Sequence, residues 1–169
     1  MAKPIHSLAA GARVVSFEDT PGLILRPFRS VKEWQALDPD SKHDQDHVQT
    51  RKINRLPGND PHIWLDPLNA QKITQNLVQI LSEFDPENAQ TYHSNGKKTI
   101  LRLSDLNIQL ETKMSSVSSK SYIVFHDAYQ YFEKRYHLNP IASVTVSSGP
   151  STSVGRLIDI RKKITNKNH

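Results

Sequence analysis

Two histidines of this 169-residue chain stand where a side chain can take part in metal chemistry. His62 lies in the segment DPHIWLDP (60–67), between Pro61 and Pro67, and stiff flanking residues suit a ligand whose geometry must be preserved. His126 follows the apolar run SYIVF (121–125), and open α/β sheets bind ligands beyond the carboxyl ends of their strands. Two neutral imidazoles on such loops suit zinc, although sequence spacing cannot show that they converge.

Each of these positions also has a structural interpretation. Taken alone, His62 is more typical of a surface histidine in a turn, and His126 equally fits a residue that hydrogen-bonds within a strand–helix turn. His43 and His47, four residues apart in HDQDH, give a weak metal-binding pattern that is more typical of a solvated polar loop. His126 and Asp127 could be drawn as a general base with its orienting carboxylate, but adjacent side chains rarely point at each other.

Composition narrows the function classes. The chain has no cysteine, so disulfides and thiolate metal sites are excluded, and any metal site needs histidine nitrogens and carboxylate oxygens. No Gly-x-Ser-x-Gly, glycine-rich phosphate loop or His-Glu-x-x-His motif is present, which argues against an enzyme. The net charge of +5 raises the possibility of nucleic-acid binding. Lysine and arginine are scattered, however, and cluster only in the C-terminal RKKITNKNH, which argues against that function. No membrane span is indicated, and the first twenty residues lack the apolar core of a secretory leader.

The elements that must position His62 follow from local signals. Strand character appears in ARVVSF (12–17) and GLILRPF (22–28), and the polar run 38–52 predicts an exposed loop. Asp66 can cap a helix that begins at Pro67 and continues through LNAQKITQNLVQILSEF. Its apolar stripe comprises Ala70, Ile73, Leu77, Ile80, Leu81 and Phe84. Trp64 and Leu65 are expected to bury and to anchor the loop.

The same cap-and-proline signal predicts a second and longer helix, with Asp85 as cap and Pro86 at the first position. This helix is expected to end near Met114. Gly96 should weaken its middle by about 1 kcal/mol relative to alanine. At ~1.5 Å per residue the helix spans about 43 Å, which is long enough to connect two bodies.

Strands and helices alternate from residue 121 onward. Strand 121–125 is followed by a helix capped by Asp127, strand IASVTVS (141–147) and helix VGRLIDIRKKI (154–164). This order predicts an α/β fold with a parallel sheet and right-handed crossovers.

Three segments, DPHIWLDPLNAQKI, DPENAQTYHSN and YIVFHDAYQYFEKRYHL, occur in an order and spacing that carry a family resemblance. The chain resembles the substrate-binding component of high-affinity zinc uptake ABC transporters over about residues 10 to 164. The resemblance implies two α/β lobes joined by one long helix. Residues 1–59 would be a remnant of the N-terminal lobe with the polar His/Asp loop, 60–115 the metal-site loop, helix and linking helix, and 116–169 a partial C-terminal lobe.

The resemblance also implies a site and a role. The histidine of the family's Asp-x-His-x-Trp block falls on His62, and the histidine that opens its His-Asp-Ala-Tyr block falls on His126; both are zinc ligands in the family. Manganese-type relatives generally carry a carboxylate at the second position, so a nitrogen there favours zinc. The segment HDQDH looks like a reduced form of the family's His- and acid-rich loop. The implied function is capture of Zn²⁺ in the periplasm and delivery to a membrane ABC permease, by a monomer and without catalysis.

The chain corresponds to roughly half of a family member. The leader, most of the N-terminal lobe with its ligand histidine, and the acidic residue of the C-terminal lobe are expected to be absent. A site with two imidazoles and water should bind zinc more weakly than one with three or four protein ligands. Two alternatives remain open: a truncated remnant without function, and a manganese-type metal-binding protein.

Overall fold

The computed structural model describes residues 11–29, 33–34, 58–145 and 154–166. Its helices and strands are α1 (Pro67–Phe84), α2 (Ala89–Ser115), β1 (Ser121–His126), α3 (Gln130–Arg135), β2 (Asn139–Thr145) and α4 (Val154–Asn166). The predicted order of elements from residue 67 onward is confirmed. None of the helices in the described ranges combines the length and apolar character needed to cross a membrane. The polar run 38–52, with His43 and His47, lies outside the described residues.

Helix α1 begins as its sequence predicts. Asp66 accepts a hydrogen bond from the backbone N–H of Leu68 at 3.0 Å, and Pro67 occupies the first helical position. Ile73 is buried, whereas Phe84 at the other end of the stripe is 71% exposed. The apolar stripe is therefore covered over the first part of the helix, next to the segment that carries His62.

Helices α1 and α2 form an antiparallel hairpin. Gln71 donates a hydrogen bond to Ser104 at 3.2 Å, and Val78 lies against Gly96. A Cβ added at Gly96 would lie 2.3 Å from Cγ2 of Val78, a separation that only glycine avoids. Gly96 thus permits the close approach of the two helices and is more than a weak point in α2.

The start of α2 differs from the prediction. A 3-10 turn over Pro86–Asn88 precedes the α-helix, and the side chain of Asp85 does not cap it. The Asp85 carboxylate instead accepts hydrogen bonds from Tyr92 at 2.7 Å and Asn88 at 2.8 Å. These two side-chain donors compete successfully with the free backbone N–H groups, and they lower the pKa of Asp85.

Strands β1 and β2 pair in parallel, as predicted. Ser121 pairs with Asn139 and His126 pairs with Thr145, with one register shift between Tyr122 and Ile123. β2 starts two residues earlier than expected. Val124 faces the buried side of this two-stranded sheet, and its neighbour Phe125 is 74% exposed on the other side.

The two strands expected before residue 30 are not present in the described range 11–29, and that prediction is wrong. Residues 17–19 form a 3-10 helix, and the segment makes one isolated antiparallel bridge, Pro27 with Asn59. Side chains satisfy its backbone instead. Asn69 accepts from the N–H of Ile24 and donates to its carbonyl, both at 3.0 Å, and Tyr131 accepts from the N–H of Arg26 at 2.9 Å. No neighbouring strand is needed to pair these groups.

Candidate metal centre

His62 lies immediately before the 3-10 helix Ile63–Leu65, and a buried carboxylate holds it there. Asp60, 2% exposed, accepts a hydrogen bond from the backbone N–H of His62 at 3.0 Å, the usual local turn of an aspartate two residues upstream. The same oxygen, Oδ1, lies 2.6 Å from Nδ1 of the His62 ring. A hydrogen bond at that distance places the proton on Nδ1, and in the neutral imidazole Nε2 then carries the lone pair that a metal can use.

His126 is the last residue of β1, at the carboxyl end of the parallel strand pair. Its backbone carbonyl accepts from the N–H of Ala128 at 2.9 Å, which starts the turn into α3. Its side chain is exposed. The ring therefore stands at the edge of the sheet where parallel α/β folds place ligands.

The fold brings the rings of His62 and His126 together although 64 positions separate them. Their centroids are 5.6 Å apart and their planes meet at 76°. A Zn–N bond of ~2.0–2.1 Å places each ring centre about 3 Å from the ion, so two imidazoles on one tetrahedral zinc have centres about 5 Å apart. The observed separation is within an ångström of this value, so the spacing of the two rings is compatible with one shared divalent cation.

Neither of the other two histidines in the described ranges joins this pair. His93 lies on α2 and His137 follows α3, both exposed to solvent, while His6, His43, His47 and His169 lie outside the described residues. Within the ranges that the structure describes, no group of three or more histidine, aspartate and glutamate side chains is arranged to hold a metal. The described chain thus offers two imidazole nitrogens and leaves the remaining positions of a tetrahedral ion to water or other ligands.

Trp64 does not anchor the loop by burial, contrary to expectation, whereas Leu65 packs against the core as expected. Trp64 is 54% exposed, and its ring centroid lies 5.7 Å from that of His62. In a 3-10 turn successive side chains are rotated by about a third of a turn, so Ile63 points into the core while Trp64 faces solvent. Ile63, which is only 2% exposed, anchors the loop instead of Trp64.

Asp127, which follows His126, does not cap a helix as predicted. α3 begins at Gln130, and Asp127 is buried against the N-terminal segment. Its carboxylate accepts hydrogen bonds from Nε of Arg29 and Nε1 of Trp34, each at 2.9 Å. The guanidinium of Arg29 also lies 4.1 Å from the Trp34 ring centre. A buried polar network therefore fixes the backbone beside His126.

Glu133 completes this network from α3. Its Oε2 lies 2.6 Å from Nη1 of Arg29, and the side chain is 2% exposed. Two buried carboxylates thus share one guanidinium. Burial raises the pKa of Glu133, although the positive charge of Arg29 opposes the rise.

Helix α3 also holds the loop that carries His62. The Tyr131 hydroxyl, whose residue is 1% exposed, donates to the backbone carbonyl of Asp60 at 3.0 Å. Nε2 of Gln130 lies 3.0 Å from the Pro27 carbonyl and 3.5 Å from Oδ2 of Asp60. Local sequence patterns give no sign of these contacts, because their partners are 70 or more positions away.

A bidentate ion pair adds a third connection. Nε and Nη2 of Arg135 lie 2.8 Å and 2.6 Å from the two carboxylate oxygens of Asp66, which at the same time caps α1. The element that follows His126 and the loop that carries His62 are therefore joined at both ends of α3.

The whole chain, residues 1–169, matches the family model described as "Zinc-uptake complex component A periplasmic" (ZnuA). It is 33% identical over 179 residues to the high-affinity zinc uptake system protein ZnuA of Brucella abortus (strain 2308), covering 96% of this chain and 54% of the relative. With the ZnuA protein of Paracoccus denitrificans it shares 37% identity over 107 residues, or 63% of this chain and 33% of the relative. Some of these matches extend along almost all of this chain. In those matches the chain spans about half the length of the curated relative.

Solved structures show the same fold. A crystal structure of ZnuA superposes with a TM-score of 0.72 at 22% identity, covering 99% of this chain and 54% of that one. A ZnuA deletion mutant with zinc bound superposes at 0.73, with the same identity and coverage. The predicted α/β fold with a long helix and a parallel sheet, as part of a larger two-lobed structure, is confirmed.

Proposed function

Because this chain belongs to the family of periplasmic zinc-uptake complex component A, we propose that it binds Zn²⁺ through His62 and His126. In this proposal it serves as the solute-binding protein of a high-affinity zinc ABC import system and passes the ion to the membrane permease. The observation that carries the proposal is the 5.6 Å approach of the two imidazole rings at the end of β1. The zinc uptake systems that give the relatives their names supply the biological setting.

The chemistry of the pair supports zinc as the ion. Asp60 keeps the proton on Nδ1 of His62 and leaves Nε2 for the metal, the arrangement in which an outer carboxylate orients a ligand histidine. Nitrogen donors favour Zn²⁺ over Mn²⁺, which prefers oxygen. Two protein ligands bind an ion less tightly than three or four, so a site formed by His62 and His126 alone should exchange zinc readily with its surroundings.

The organisation of the chain is part of the same proposal. Residues 1–59, 60–115 and 116–169 would represent the N-terminal remnant, the site loop with the linking helix, and the partial C-terminal lobe. Both imidazoles come from one chain, so a monomer in the periplasm is sufficient for binding, and no catalytic step is required. The bonds from Tyr131 to Asp60 and from Arg135 to Asp66 would then hold the second and third units together at the metal site.

Calorimetric titration of the chelator-treated protein with Zn²⁺ tests the proposal. We expect saturable binding of one ion per chain, lost in both His62→Ala and His126→Ala. His93→Ala is the matched control, because His93 is an exposed histidine on α2, and it should bind like the wild type. A parallel titration with Mn²⁺ should give weaker binding.

Three results would count against it. If the wild type binds no zinc, or if binding is indifferent to both substitutions, the chain is a scaffold without the metal function. If Mn²⁺ binds as tightly as Zn²⁺, the result favours the alternative that the chain is a manganese-type metal-binding protein.

A further inference from the structure

We propose that Gln130 is a positioning residue of the metal site. It holds the carboxylate of Asp60 in the orientation that keeps the proton of His62 on Nδ1 and leaves Nε2 directed to the ion. The inference rests on the proposed function for the identity of the ligand. The arrangement of Gln130, Asp60 and His62 can be measured without any metal.

The Gln130 side chain is placed to do this by two contacts of its amide nitrogen. Gln130 is 6% exposed, and Nε2 donates to the carbonyl of Pro27 at 3.0 Å. The second contact joins Nε2 to Oδ2 of Asp60 at 3.5 Å. An amide nitrogen carries two hydrogens, so the well-formed bond to Pro27 fixes the plane of the amide and turns the other hydrogen toward the carboxylate.

Asp60 divides its two oxygens between His62 and Gln130. Oδ1 accepts the backbone N–H of His62 at 3.0 Å and lies 2.6 Å from its Nδ1. In the described hydrogen bonds, Oδ2 has Gln130 as its donor. A buried carboxylate oxygen that loses its donor carries an unbalanced desolvation cost, so without Gln130 the carboxylate gains by rotating and sharing the donors of His62 between both oxygens. This rotation of the Asp60 carboxylate would weaken its hold on the His62 ring.

Because of its position in the chain, Gln130 connects the surroundings of the two proposed ligands through its contact with Asp60. It is the first residue of α3, four positions after His126, and Asp60 lies two positions before His62. A path of side chains therefore runs from the ring of one proposed ligand, through Asp60 and Gln130, to the helix that follows the other. The neighbouring Tyr131 reaches the same loop, but it bonds the backbone carbonyl of Asp60 rather than the carboxylate.

This difference between Gln130 and Tyr131 defines the experiment. Gln130→Met keeps the length of the side chain and removes the donor, and Tyr131→Phe removes a buried hydroxyl bonded to the backbone of the same loop. Long-range ¹H–¹⁵N NMR of the zinc-free protein reads which nitrogen of His62 carries the proton. Calorimetry with Zn²⁺ reads the affinity. We expect one tautomer of His62 in the wild type and a mixture in Gln130→Met, with zinc affinity lowered by about tenfold, as for outer-shell partners of metal ligands.

Tyr131→Phe should lower the unfolding temperature but keep the wild-type tautomer of His62, because its hydroxyl bonds the backbone carbonyl of Asp60 and not the carboxylate. In an Asp60→Asn background, Gln130→Met should cause no further loss of affinity, because its effect passes through the carboxylate. If Gln130→Met does not fold, Gln130→Asn withdraws the amide from Asp60 and should give the same mixture of tautomers.

The inference is overturned if the Gln130 variant keeps a single His62 tautomer, or if its loss of affinity persists in the Asp60→Asn background. A wild type that binds no zinc but shows the expected tautomer change would refute the proposed function and still support the positioning role.

Discussion

Gly96 of α2 lies directly against Val78 of α1, since a Cβ at residue 96 would stand 2.3 Å from Cγ2 of Val78. Helix propensity alone would make Gly96→Ala stabilising by about 1 kcal/mol. Forcing an extra methyl group into a packed interface costs about 1–3 kcal/mol, and the contact here is shorter than the interface can absorb without separating the helices.

We therefore expect Gly96→Ala to lower the free energy of unfolding by about 1–2 kcal/mol net of its propensity gain. Urea denaturation followed by circular dichroism measures this change. Val78→Ala should restore most of the loss when combined with Gly96→Ala, because it removes the clashing methyl groups. A stabilised single variant would mean that the helices are further apart than described.

Asn69 provides a second prediction, because it satisfies backbone groups of two separate segments. It is 1% exposed, bonds both the N–H and the carbonyl of Ile24, and donates to the carbonyl of Ile63 at 3.2 Å. Asn69→Ala leaves these groups without partners, and each unsatisfied buried group costs about 1–3 kcal/mol. We expect a total loss of about 2–5 kcal/mol in unfolding free energy, since the costs are not fully additive.

The matched control is Asn76→Ala on the same helix. Its amide makes a single 3.3 Å contact with the Thr20 hydroxyl, so the expected loss is well below that of Asn69→Ala. Equal losses in chemical denaturation would show that the position on α1, and not the bridging role, determines the effect.

His137 occupies a backbone conformation that glycine adopts more easily. Its φ is +52°, and it follows α3 where the N–H of Leu138 bonds the carbonyl of Glu133 at 2.9 Å, the pattern of a helix that ends with a left-handed residue. His137→Gly should raise the unfolding free energy by about 0.5–1 kcal/mol. His137→Ala keeps the unfavourable conformation and should give no such gain in thermal unfolding, which isolates the backbone as the cause.

The pH dependence of stability should report on Glu133. Burial raises its pKa above the ordinary value of 4.5, so the folded state disfavours the ionised carboxyl relative to the unfolded chain. The contribution of Glu133 is then complete below about pH 4.5 and is lost as the pH rises through the elevated pKa. Relative to Glu133→Gln, the wild type should lose unfolding free energy over that rise.

Urea denaturation of both proteins between pH 4 and 8 tests the sign, with the exposed Glu87→Gln as a control that should show no such trend. A wild type that gains stability relative to Glu133→Gln as the pH rises would mean that Arg29 outweighs burial and lowers the pKa instead.

Sequence patterns predicted the elements whose signals are local and missed those whose partners are distant. Asp66 and Pro67 start α1 as expected because the cap and the groups that it bonds lie within three residues. Asp127 looked like another cap, but Arg29, 98 positions away, and Trp34, 93 positions away, take its carboxylate. A capping pattern contains no information about such donors.

The same distinction applies to the site. Sequence motifs and the family resemblance selected His62 and His126, but only the fold shows that their rings approach each other. The bond from Asp60 to the imidazole is local, since the turn that joins Asp60 to the backbone N–H of His62 also brings its carboxylate to the ring. The roles of Gln130, Tyr131 and Arg135 depend on how α3 docks, which no local signal could indicate.

The anchors on α3 also constrain the order in which the chain can fold. Gln130, Tyr131 and Arg135 reach partners 70, 71 and 69 positions earlier, whereas the α1–α2 hairpin is formed by residues that a short turn connects. Contacts between near neighbours close with less entropy loss and form faster than those that close long loops. The hairpin should therefore form early, and the two imidazoles should meet only in the final stage. A partly folded chain would contain most of its helix and no ion-binding pair, so binding of an ion by the proposed pair would mark the completion of folding.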